Sequence, residues 1–173
     1  MSAGLTDPIQ FARLGDGIVI IRVCGRGTHQ QSPGLRQVFE MTRGDTPAPR
    51  YVLDVDQCVT MDSTFMGTLA SMAIHQRQRD GSSLVVLNVN EHVRNLLQTL
   101  GLNYVLELRA GNNAVDQADF KPSRPAPITR LEQILMMLEA HERLVDVDSR
   151  NEVKFEGVLR SLRESLEREQ SHS

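Results

Sequence analysis

The chain has 173 residues, 40% of them apolar and 24% charged, and its 19 basic and 22 acidic side chains leave a formal charge of −3. That is the composition of a globular protein, and it excludes a disordered or fibrous chain and a strongly basic one built to hold phosphate backbones. With five Phe, two Tyr and no Trp, the aromatic content also argues against a stacking platform for single-stranded nucleic acid.

Ile9–Leu14 alternates apolar and polar residues, Gly15-Asp16-Gly17 supplies turn chemistry, and Ile18–Cys24 is β-branched and apolar, so the first elements form a hairpin. The second of these strands is apolar on both faces over most of its length, which suits an interior strand covered by helices on at least one side. After a loop over Gly25–Gln31, Ser32 and Pro33 start a helix that carries Leu35, Val38 and Phe39 and ends near Gly44. Tyr51–Val55 is a short apolar strand. Met61-Asp62-Ser63-Thr64 then opens a helix with Phe65, Leu69, Met72 and Ala73 on one face, closed by Asp80-Gly81. Ser83–Val89 is another buried strand, and Asn90 caps a helix with Val93, Leu96, Leu97 and Leu100 inward. Gly101 fits its C-cap, and Tyr104–Leu108 is the last strand of the series. The order β-β-α-β-α-β-α-β predicts an α/β fold with a mostly parallel sheet and one antiparallel neighbour.

From Gly111 to Thr129 the pattern dissolves, and Lys121–Pro127 holds three prolines that suit a linker. Thr129-Arg-Leu-Glu132 is a capping box ahead of Leu131, Ile134, Leu135, Leu138 and Leu144. Ser149-Arg-Asn-Glu152 repeats the pattern ahead of Phe155, Val158, Leu159, Leu162 and Leu166. Two amphipathic helices are predicted, separated by the acidic turn Asp146-Val-Asp148. They are too short for a core of their own, so their apolar faces must meet each other together with the main domain, a second copy or a partner. The expected division is an α/β domain over 1–118, a linker over 119–128 and a helical hairpin over 129–173.

Cys24 and Cys58 are not needed as a staple and read as buried thiols in a reducing cytosolic compartment. No apolar stretch is long enough to span a bilayer, and Met1–Asp7 lacks a basic-then-apolar leader, so a soluble cytoplasmic protein without membrane insertion is expected. Phosphate-loop, Rossmann and nucleophile-elbow motifs are missing, so neither enzyme chemistry nor a cofactor is expected. His29, His75, His92, His141 and His172 lie on different elements without ligand spacing and read as solvated or core residues. Asp54, Asp56 and Asp62 flank the third strand and its loop, where caps and solvated loop residues are favoured over a Mg²⁺ site.

At Tyr51–Gly67 the chain resembles the STAS domain family, the fold of bacterial anti-sigma factor antagonists. A buried strand ends in Asp54, apolar Val59 follows, and Met61-Asp62-Ser63-Thr64 with Gly67 leads into a helix. Val93-Arg-Asn-Leu-Leu97 and Gly101-Leu102 are similar to the family's third helix and its Gly-Leu ending, and the resemblance covers residues 8–115. It implies a STAS-like domain that acts in signal transduction and transcription regulation by binding an anti-sigma factor that is also a serine kinase. Ser63 holds the family's phosphoacceptor position, and Asp62, Thr64, Phe65, Met66 and Gly67 would form the partner-binding surroundings, with Gly67 permitting close helix approach. Physical chemistry agrees, since a phosphate at a helix start gains from free N–H groups and the dipole. It also adds nearly two negative charges beside Asp62, which repel a partner surface.

Two departures bear on this expectation. Phe65 stands where the family has Gly and would put a bulky ring on the approach surface, and Gly25-Arg-Gly-Thr-His29 lacks the family's Glu-Leu-Asp. Either the partner has changed or phosphorylation has been lost. The alternative for Ser63 is an ordinary N-cap with Asp62 helping the dipole, and for Phe65 and Met66 the first core turn of the helix. The alternative function is a constitutive scaffold in a signalling or transport assembly, working through the C-terminal helices, which also suit a homodimer. A nucleotide or small-molecule sensor is a third reading that no phosphate loop supports.

Overall fold

The computed structural model describes residues 6–111 and 115–172. The expected domain start and the leader reading at residues 1–5, and the end of the helical segment at residue 173, lie outside the described residues. β1 (Ile9–Leu14) and β2 (Ile18–Val23) form the predicted antiparallel hairpin, joined by a 3-10 turn in which Asp16 and Gly17 take φ of 64° and 69°. There follow β3 (Gly25–Gly27), α1 (Ser32–Thr42), β4 (Arg50–Asp54), β5 (Cys58–Met61), α2 (Ser63–Asp80), β6 (Leu84–Leu87), α3 (Glu91–Thr99) and β7 (Leu106–Arg109). The chain closes with β8 (Lys121–Pro122), α4 (Arg130–Val147) and α5 (Asn151–Ser171).

The main sheet has the order β7-β6-β4-β2-β1-β8, parallel from β2 through β4 and β6 to β7 and antiparallel on both sides of β1. This is the expected mixed α/β fold, with three strands that were not foreseen. β3 and β5 lie where loops were predicted and pair with each other in parallel. Runs of three and four residues carry no readable period, and each is a strand only because the other lies beside it. β8 falls in the proline-rich linker and pairs with β1, which an edge position permits because Pro122 has no N–H to give to a further strand.

Alternation along the strands sorts the core. Ile9, Val19, Ile21, Val23, Leu53 and Val86 face α1, α2 and α3, whereas Ala12, Ile20 and Leu87 face Val115 on the other side of the sheet. Ser32 is not the cap of α1; Gln31 is, and the Ser32 hydroxyl donates to the Thr28 carbonyl at 3.1 Å.

α4 lies along α2, and α5 folds back on α4. The Thr129–Glu132 capping box forms as predicted, with the Glu132 N–H donating to Thr129 Oγ1 at 3.2 Å and the Thr129 N–H to the Glu132 carboxylate at 2.7 Å. The second capping pattern does not form. Asp148 closes α4 and takes both the Arg150 N–H and its guanidinium, so the chain turns into α5 through Arg150 with no side-chain cap. Asn151, fully buried, donates instead to the Leu100 and Leu144 carbonyls at 2.9 and 2.7 Å and ties α5 to the end of α3. Thr129→Ala is expected to loosen the first turn of α4 by about 1 kcal/mol, read as faster amide exchange over residues 130–133.

Candidate functional site

The site is built where β5 hands over to α2. Asp62, in extended conformation, is the N-cap of α2: Oδ1 accepts the Phe65 N–H at 2.8 Å and Oδ2 the His29 N–H at 2.8 Å, with His29 Nδ1 3.5 Å away. The Asp62 N–H donates to the Gly27 carbonyl at 2.8 Å, so the strap after β3 and the helix start are one hydrogen-bonded unit. The serine N-cap considered from the sequence is therefore an aspartate cap. A carboxylate reaches two backbone donors at once, and Ser63, now the first helical residue, is free to bond elsewhere.

Its partner comes from the far end of the chain. Ser63 Oγ lies 2.9 Å from Nε2 of His141 on α4, and His141 Nδ1 lies 2.7 Å from the Met137 carbonyl oxygen. A carbonyl only accepts, so Nδ1 carries a proton, and in the neutral ring Nε2 accepts the Ser63 hydroxyl. Ser63 is half-buried, while His141 is 2% exposed and meets the Phe155 ring edge-on at a centroid distance of 5.0 Å.

The ring of Phe65 does not stand on the approach surface. It is fully buried and seated on Gly27, where a β-carbon would come within 2.8 Å of Phe65 Cδ1. Bulk at position 65 is matched by absence of bulk at position 27. Thr64 and Met66 are buried as well, in the first core turn of the helix. Gly67 faces α4 so closely that a β-carbon there would run into the Ala140 carbonyl group, with even the Ala140 Cα only 2.7 Å away. Of the residues singled out from the sequence, Asp62 and Ser63 thus reach the surface, Thr64, Phe65 and Met66 support them from beneath, and Gly67 is covered by α4.

The acidic residues beside the third strand are not gathered. Buried Asp54 is held by Arg22 Nε at 3.0 Å and Asn88 Nδ2 at 3.0 Å, while Asp62 caps α2. Among the described residues, no group of three or more His, Cys, Asp or Glu side chains is placed to hold a metal ion. Burial pushes the thiols of Cys24 and Cys58 up from their ordinary value, which makes both poor nucleophiles. No helix among the described residues is long and apolar enough to cross a membrane.

His141 is the site residue that the sequence reading left among the unassigned histidines. Its separation of 78 residues from Ser63 leaves no spacing signal. The one local hint is its place between Ala140 and Leu144 on the buried stripe of α4.

Residues 12–108, more than half of the chain, match the family model described as Mlab, STAS domain. No curated protein matches the sequence. Among solved structures, the anti-sigma factor antagonist SpoIIAA in its unphosphorylated form is 15% identical, with a TM-score of 0.50, over 63% of this chain and 96% of that one. A putative anti-sigma factor antagonist from Thermotoga maritima is 15% identical, with a TM-score of 0.49, over 65% of this chain and 93% of that one. At such identity the likeness to SpoIIAA is one of fold.

Proposed function

The chain belongs to the STAS domain family, and from that premise we propose that it is a cytoplasmic, non-enzymatic regulator of the anti-sigma factor antagonist kind. On this reading it binds an anti-sigma factor or related serine kinase through the start of α2, and phosphorylation of Ser63 switches the binding. The observation that carries the reading is the division of labour at the helix start, where Asp62 does the capping and the Ser63 hydroxyl is not used by its own helix. A phosphoryl group there lies at the positive end of the α2 dipole. The transfer forms the Ser63 Oγ–P bond as the bond from the γ-phosphorus to ADP oxygen breaks; ADP leaves and the hydroxyl proton passes to the kinase's base. Asp62 orients the acceptor, and Thr64, Phe65 and Met66 act from below by fixing the turn that presents it.

The partner is recovered by tag capture from the native host with mass spectrometry, which also reads the modification state of Ser63. Ser63→Asp is expected to retain at least tenfold less of a kinase-like partner than the wild type, with the far-UV circular dichroism unchanged. Equal capture by both proteins rejects the switch. The scaffold reading is favoured by a different observation, the Ser63–His141 bond itself, which in a scaffold is a permanent tie between domain and hairpin. In that case partners survive Ser63→Asp and are lost when exposed apolar positions of the hairpin, Leu135 and Val158, are made polar.

A further inference from the structure

We propose that the α4–α5 hairpin is an intramolecular occupant of the α2 face, engaging the Ser63 hydroxyl in the resting protein, and that Ser63 and His141 form its latch, opened by a negative group on Ser63. The inference rests on Ser63 being a modification site, and it adds what the rest of the chain does about that modification.

Three observations meet here. The Ser63 hydroxyl, the group a kinase must enclose, is bonded to a side chain of the hairpin at 2.9 Å. One turn along α2, Gly67 and Ala140 bring the two helices into backbone contact, so no slack exists at this crossing to admit a phosphoryl group between Ser63 and His141. The hairpin is also joined to the sheet by a segment without regular structure, while Leu144 and the Asn151 bond to the Leu100 carbonyl hold its far end to the core. The chain is pinned to the sheet through Ser123, whose N–H donates to the Ile9 carbonyl and whose hydroxyl donates to the Gly34 carbonyl, both at 2.8 Å, and residues 124–129 then run without regular structure into α4.

A phosphorylated Ser63 has no hydroxyl proton for His141. The new dianion beside Asp62 meets the unprotonated Nε2 of the neutral His141 ring, which has a lone pair and no proton to give, because the one ring N–H is held by the Met137 carbonyl. Its lower-energy position is in water, with the hairpin moved off. What the hairpin then exposes is the stripe Ile134, Met136, Ala140 and Leu144, buried in the closed chain. The same charge that ends binding of a kinase therefore uncovers a second apolar surface.

Both halves are testable on the full chain without any kinase or partner, so their failure is distinct from failure of the proposed function. Engagement is read with Ser63→Cys and iodoacetamide, the native Cys24 and Cys58 being buried and serving as internal controls. Alkylation is expected to be at least tenfold faster when Gly67→Val, or in a second version His141→Ala, is added. Equal rates with and without these substitutions overturn the engagement. The latch is read by hydrogen exchange in Ser63→Glu against Ser63→Ala. Exchange over residues 130–147 is expected to rise at least tenfold in the glutamate variant while β2, β4 and β6 stay protected; unchanged exchange, or slower exchange from an ion pair with His141, overturns the latch.

Discussion

Phe65→Ala is expected to cost about 3–5 kcal/mol in denaturant unfolding, the range for emptying a fully buried aromatic site. The side chain is 0% exposed in the first turn of α2, and its ring lies directly over Gly27, whose missing β-carbon makes the seat. A glycine at this position would remove the same ring and cost about a further 1 kcal/mol in helix propensity, so Phe65→Gly should be the worse variant. The pairing with Gly27 supplies a sharper check than the size of the loss. Gly27→Ala alone drives a methyl group to 2.8 Å from the ring and should destabilise, whereas in the Phe65→Ala background the same methyl enters vacated space and should restore part of the loss. A loss under about 1 kcal/mol for Phe65→Ala, or additivity of the two substitutions, would mean that the ring is not seated on the strap.

What was legible in the sequence follows from how far apart the cooperating residues are. The β1–β2 hairpin, the helix stripes and the Thr129–Glu132 capping box are decided within a few residues, and periodicity and turn chemistry reach that far. β3, β5 and β8 are strands by virtue of neighbours distant in sequence, and nothing in Gly25-Arg-Gly27 or Lys121-Pro122 announces it. The Asp-Ser-Thr motif pointed to the candidate site, but choosing between Asp62 and Ser63 as the cap required the second donor, the His29 N–H, which comes from the strap. Phe65 was legible as part of the first core turn of the helix, and its burial bears that out; what the sequence did not show is the seat beneath it. The pairing of that ring with Gly27 joins positions 27 and 65 of the chain, and no local pattern reaches so far. The C-terminal helices were legible as amphipathic, and their stripe had several candidate neighbours; only the fold assigns it to α2.

That assignment turns on one residue, and Gly67 decides it through the sign of a substitution. A glycine inside an exposed helix destabilises it by about 1 kcal/mol relative to alanine, so if α4 did not lie on α2, Gly67→Ala would raise the melting temperature. With α4 in place the added β-carbon meets the Ala140 backbone, which cannot rotate out of the way as a side-chain tip could. The expected result is therefore a fall, small for alanine and about 1–3 kcal/mol for Gly67→Val, whose branched side chain enlarges the clash and gains little propensity. The damage should also be regional. Protease sensitivity is expected in 124–171, where the hairpin lifts from the domain, while the sheet and the Asp62 cap, which make no use of α4, hold. A stabilised Gly67→Ala protein would place the hairpin elsewhere and would leave the Ser63 hydroxyl open to solvent.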